Sequence, residues 1–209
     1  MSVMTWPDHL LTLAEFDELP EDNSRRYELQ EGVLQVTPKA AGFHQFVLTR
    51  LSAALDRALP EGWAAISEPE VVIAETFPPT VRVPDVIVVS LDRVLERPAK
   101  LHAQDVVLAV EVLSPGSQRA DNIVKRAEYA EAGIPAYWSL DIRERPTLSA
   151  QRLVDGVYKT DSDGPGVFMT EHPFDLRIDL DALGTRVVPP EAGVIPGTVP
   201  VLSCAYPPG

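Results

Sequence analysis

Apolar residues recur along this chain at two periods, and the changes between them outline its elements. Phe43, Val47, Leu51 and Leu55 fall four apart, with Phe46, Leu48 and Leu59 beside them. That spacing predicts one amphipathic helix from about Gly42 to Leu59. A second helix is expected over Ser117 to Ala132, stopped by Gly133 and kept from resuming by Pro135. Shorter helices are expected from Leu13 to Leu19, opened by a Thr12-x-x-Glu15 capping box, and near Asp92 to Glu96. Runs of β-branched and apolar residues predict strands at Trp63 to Ile66, Val71 to Ile73, Val81 to Ser90, Val106 to Leu113 and Ala136 to Leu140. Residues 26–29 and 33–36 flank Gln30-Glu31-Gly32 and read as a hairpin with glycine at its turn. Residues 147–180 read as three further short strands, broken by turns at Asp155-Gly156 and Asp161-Ser162-Asp163-Gly164.

The order helix, hairpin, helix, strands, helix, strands predicts an α/β class chain, an α+β mixed sheet with helices packed against it. From Pro189 onward no apolar period survives, and six of the 20 prolines fall between Pro189 and Pro208. The expected organisation is one domain over residues 1–185 and an extended Pro-rich tail over 186–209.

Two of the strands contain a misfit. Asp85 follows Pro84 at the head of Val86-Ile87-Val88-Val89, and Glu111 sits inside Val106-Val107-Leu108-Ala109-Val110-Glu111-Val112-Leu113. A carboxylate in a strand buried on both faces is costly unless paired, protonated or bound to a cation. For Asp85 the plain alternative is a polar residue at a strand end, bonded to backbone amides. For Glu111 it is a buried ion pair with an arginine. On the second long helix, Asp121, Lys125 and Tyr129 stand at i, i+4 and i+8 and share a face, with Ile123, Ala127 and Ala130 on another, apolar face. The bland reading of the first face is an exposed Asp–Lys pair; the sharper one turns Lys125 back over the strand end that bears Glu111.

Composition narrows the chemistry. The 209 residues carry a net charge of −13, which counts against a broad phosphate-binding surface. The one cysteine, Cys204, excludes a disulfide framework or thiolate cluster. No Gly-x-Ser-x-Gly elbow is present, and Ser114-Pro115-Gly116-Ser117 lacks the glycine spacing and lysine of a P-loop. Neither a secretory signal nor an apolar run of membrane-spanning length appears, so a cytoplasmic location with no membrane partner is expected. Asp, Glu and Lys together suit phosphodiester hydrolysis, in which a cation polarises the phosphate and activates water while an ammonium stabilises developing charge.

Taken in order, Arg26-Tyr27-Glu28-Leu29, His44, Pro84-Asp85, Glu111-Val112-Leu113-Ser114-Pro115, Asp121 with Lys125 and Tyr129, and Gly133-Ile134-Pro135-Ala136-Tyr137-Trp138 resemble a large bacterial family of restriction-endonuclease-like proteins within the PD-(D/E)XK nuclease superfamily. The resemblance covers about residues 10–180. It implies a restriction-endonuclease-like core of a central mixed sheet flanked by helices, with extra antiparallel strands. It further implies Mg²⁺, or Mn²⁺ in its place, held by Asp85, Glu111 and the Val112 carbonyl, and a nucleic-acid substrate, DNA before RNA, cut by a homodimer. The signature's lysine is expected two residues after the glutamate, where Leu113 stands; the resemblance implies that Lys125 has taken its place. Glu28 resembles an additional catalytic acid, and it could equally pair with Arg25 or Arg26 on the hairpin surface. His44 is a weaker candidate for contacting phosphate or water, with Ser114 and Tyr129 as supports for the reacting groups. Two other readings stand beside endonuclease: a non-catalytic binding module on the same fold, and a metal-dependent hydrolase of a small phosphorylated substrate.

Overall fold

The computed structural model describes residues 7–20, 22, 24–40, 42–113 and 119–184. In chain order its elements are α1 (Leu13–Asp17), β1 (Arg25–Gln30), β2 (Val33–Pro38), α2 (Phe43–Ala58), β3 (Trp63–Ser67), β4 (Val71–Ala74), β5 (Thr80–Arg82), β6 (Val86–Ser90), α3 (Leu91–Leu95), β7 (Leu101–His102), β8 (Val106–Leu113), α4 (Arg119–Glu131), β9 (Ala136–Asp141), β10 (Thr147–Val154), β11 (Val157–Pro165), β12 (Val167–Thr170), β13 (Leu176–Asp179) and α5 (Asp181–Gly184). They form a six-stranded sheet in the order β11-β10-β9-β8-β6-β3, a five-stranded sheet in the order β2-β1-β5-β4-β7, and the ribbon β12-β13. The larger sheet is mixed. β8 and β9 run parallel and are joined through α4, because parallel neighbours need a crossover, while the remaining pairs are antiparallel.

Burial on both faces explains the continuous apolar runs of β6, β8 and β9. Val86, Val88, Leu108, Val110, Trp138 and Leu140 pack on one side with Val47, Leu48, Leu51 and Leu55 of α2. Ile87, Val89, Ala109 and Tyr137 pack on the other with Tyr129 of α4 and Ile134. A smaller core under the hairpin joins Leu11, Phe16, Leu29, Val72 and Val81. The capping box of α1 forms as expected, with Glu15 Oε2 accepting from the Thr12 amide at 2.8 Å.

Three expectations need correction. The strand read over Val81 to Ser90 is two strands in different sheets. Pro84 has no amide to donate to a ladder, and the chain passes from one sheet to the other at residues 83–85. The region 147–180 holds four strands, not three. Asp155 and Gly156 do form a turn, both at positive φ (52° and 76°), but Asp161 to Gly164 stay within β11, because β10 offers a full-length partner and a register shift between Ala150 and Gln151 absorbs the irregularity. On α4 the expected apolar face is inverted: Ile123 is 63% exposed, while Lys125 and Tyr129 are buried. Ser114 and the Ser114–Gly116 reversal, the Asp121 side chain, Trp6, and the tail with Cys204 lie outside the described residues.

Candidate active site

The antiparallel register of β6 and β8 pairs Val86 with Val110. Asp85 directly precedes Val86 and Glu111 directly follows Val110, so the two acids stand beside each other where the ladder ends. The Val112 amide donates to Asp85 Oδ2 at 2.8 Å and fixes this end of the pair. Both acids are nearly sealed from solvent, at 3% and 4% exposure. Two carboxylates far apart in sequence thus stand beside each other at the end of the β6–β8 ladder.

Helix α4 closes the site. Tyr129 donates its hydroxyl to Glu111 Oε1 at 2.8 Å, and Lys125 Nζ lies 3.8 Å from the same oxygen. Lys125 also donates to Glu28 Oε1 at 2.8 Å. Glu28 is therefore not a surface hairpin acid. From β1 it faces inward, accepts from the Val83 amide at 3.0 Å, and meets Arg82 Nη1 at 3.2 Å through its second oxygen. Arg82, fully buried, clamps Glu128 of α4 through two hydrogen bonds of 2.7 and 2.8 Å. Lys125 is thereby positioned from two sides. The register of the strands sets Glu111, and the Arg82–Glu128 fork sets the helix that carries the ammonium.

On the opposite side α2 supplies His44, which is buried rather than on the helix surface. Its Nε2 lies 3.2 Å from the Val112 carbonyl oxygen and 3.4 Å from Asp85 Oδ2. Both neighbours are acceptors, so this nitrogen is assigned the proton. Arg26 of β1 donates to Asp85 Oδ1 at 3.1 Å and to Glu68, to which Gln45 also donates at 3.3 Å.

These contacts separate the two carboxylates electrostatically. Burial alone would raise Asp85, but the His44 hydrogen bond and the Arg26 charge outweigh it and hold the carboxyl below its usual value. Burial pushes Glu111 up to about 7; Lys125 pulls it down, while the charges of Asp85 and Glu28 add to the burial effect. Burial likewise raises the Tyr129 phenol, which stays protonated as a donor. Glu28 ends below its usual value because Lys125, above all, overcomes its burial.

Reading the sequence missed Arg82, Glu128, Arg26 and Glu68. One signal was available: Arg82 interrupts Thr80-Val81-Arg82-Val83 as Glu111 interrupts its own strand. Arg26 stands in a stretch that carries the family resemblance, whereas Glu68, just past a strand end, carries no comparable signal.

A family described as "putative restriction endonuclease", Uma2, matches residues 13–181. The chain belongs to the Uma2 family. Among solved structures, that of a "putative nuclease" from Anabaena variabilis ATCC 29413 is similar, with a TM-score of 0.65 and 21% identity over 83% of this chain and 97% of that one. At that identity the likeness establishes a restriction-endonuclease-like fold. No curated protein matches the chain. No helix among the described residues is long and apolar enough to cross a membrane.

For this Uma2 chain a cation can be tested against the donors present. No group of three or more His, Cys, Asp or Glu side chains among the described residues is arranged around one point. A site of two carboxylates and one backbone carbonyl is nonetheless the oxygen set that Mg²⁺ takes, completed by water and substrate. A carboxylate offers about four acceptor positions. Asp85 uses three of them, on Arg26, His44 and the Val112 amide. Glu111 Oε2 accepts no hydrogen bond among the described residues. The donors fit a hard divalent ion, and Arg26 already supplies part of the charge such an ion would bring.

Proposed function

We propose that this protein is a Mg²⁺-dependent endonuclease that hydrolyses phosphodiester bonds, with DNA as substrate. One observation carries the reading: Glu111, beside Asp85 at the end of the β6–β8 ladder, meets Lys125 at 3.8 Å from an element that crosses over the sheet. A Mg²⁺ ion held by Asp85, Glu111 and the Val112 carbonyl would polarise the phosphate and make a bound water acidic. Lys125, its ammonium oriented by Glu28, donates to the attacking water or to the phosphate oxygen that gains charge. Glu28 acts through Lys125, since its own oxygens are taken by Lys125, Val83 and Arg82. His44 orients Asp85. A homodimer in the cytoplasm would present one such site to each DNA strand.

Purified protein incubated with plasmid and Mg²⁺ or Mn²⁺ tests this. Wild type should nick and linearise the plasmid, and Glu111→Gln and Lys125→Met should each lose at least about a hundredfold in rate. Cleavage equal in all three proteins, or absent from all across several substrates, would refute it. Competition by mononucleotides would redirect the reading to a small phosphorylated substrate. Two features favour the rival reading, a non-catalytic binding module: both Asp85 oxygens already have partners, and the net charge is −13. Metal-independent DNA binding without cleavage would be its mark.

A further inference from the structure

Arg26 lies between two places. One is the candidate catalytic centre, where it donates to Asp85 Oδ1. The other is a cavity of about 270 Å³ on the hairpin side, lined by Arg26 together with Arg25, Tyr27, Lys39, Glu68 and Glu70.

The acids of that cavity are already engaged. Glu68 holds Arg26 and Gln45, Glu70 holds Lys100, and Asp22, at the same wall, holds Arg25. The group left over is a donor: Lys39 has no ion pair among the described residues. One unpaired cation beside two arginines suits a phosphate group.

Glu68 gives Arg26 a second anchor. It holds a left-handed backbone (φ 50°), unusual for a glutamate, and its amide donates to the Asp85 carbonyl at 3.0 Å. Its carboxylate can therefore keep the guanidinium while Asp85 lets go, and the cavity gives the side chain room to turn.

Resting on the proposed metal-dependent reading, we infer that this cavity is a phosphate subsite beside the catalytic centre, and that its occupancy draws Arg26 off Asp85. The phosphate is either a neighbouring phosphodiester of the substrate strand or free inorganic phosphate. Arg26 is then a resident counter-ion that occupies Asp85 until phosphate arrives. Metal and phosphate reinforce each other's binding, and linkage makes that reinforcement equal in both directions.

Mn²⁺ binding, followed by the electron paramagnetic resonance of the free ion, tests this without any cleavage assay. In the full-length wild type, dimethyl phosphate or inorganic phosphate should tighten Mn²⁺ binding by about tenfold, within the usual range of such couplings. A larger effect of the diester assigns the subsite to substrate, and a larger effect of inorganic phosphate assigns it to the free ion. Arg26→Gln should bind Mn²⁺ tightly without phosphate and gain nothing from it. Lys39→Ala should bind Mn²⁺ as wild type does and lose the phosphate response. Mn²⁺ binding in wild type that ignores both phosphates would overturn the subsite, whether or not Arg26→Gln folds. If neither wild type nor Arg26→Gln binds Mn²⁺, the metal reading falls, and this inference with it.

Discussion

Replacing Arg82 by methionine tests whether the site is braced as described. The guanidinium is fully buried, forked onto Glu128 at 2.7 and 2.8 Å and in contact with Glu28 at 3.2 Å. Methionine fills much of the volume, strands Glu128 and leaves Glu28 with Lys125 as its cation. Breaking a buried pair by removing one member costs about 3–5 kcal/mol. Glu128 retains 17% side-chain exposure and can regain some water, so a loss near about 3 kcal/mol is expected. For a chain of this size that lowers Tm by about 6–12 °C, at about 2–4 °C per kcal/mol. Circular dichroism melts and urea titrations would measure it. Arg82→Lys, which keeps the charge and loses the fork, should fall between the two. Adding Glu128→Met to Arg82→Met should restore about 1–2 kcal/mol, because one stranded charge goes with it. A loss below about 1 kcal/mol in the single variant, or no recovery in the double, would refute the view that this fork holds α4 in place.

Glu111 titrates near 7 when folded against an ordinary 4.5, so the folded chain holds an extra proton between those values and stability falls as pH rises through that window. Glu111→Gln should therefore be more stable than wild type at pH 8, by up to about 3 kcal/mol, with the gain vanishing below about pH 5; denaturant titrations across pH would show it. Tyr129→Phe removes the 2.8 Å donor to Glu111 and should cost about 1–3 kcal/mol, read from the same titrations. Mg²⁺ at about a hundred times its Kd should stabilise wild type by about 2.7 kcal/mol and leave Asp85→Asn unchanged in calorimetric melts.

Strand β8 and helix α2 were legible in the sequence because burial on two faces, or on one stripe, leaves a periodic record. The pairing of Asp85 with Glu111 was legible for the opposite reason, since each breaks such a record. Where the chain changes sheets at 83–85, the apolar run reads as one strand through Pro84, because the switch depends on long-range pairing that no local pattern encodes. Helix α4 misled because its buried face is set by ionic partners from β1 and β8 rather than by apolar residues, and amphipathicity cannot register a stripe that is both inward and charged. His44 shows the same limit: its burial follows from the acceptor it reaches, the Val112 carbonyl, which no local pattern around residue 44 reveals. In sequence Glu28 has hairpin neighbours to pair with, and only the arrival of Lys125 from 97 residues away decides otherwise.

Helix α4 fastens its middle to the rest of the protein through Lys125 and Glu128 while turning Ile123 outward. The groups proposed for chemistry are thus also the rivets of the scaffold. A descendant that abandoned cleavage could not shed them cheaply, because doing so would loosen the helix. Retention of these residues across relatives is therefore what upkeep of the architecture alone would produce, and a dormant member of such a lineage would keep the outward marks of a working one.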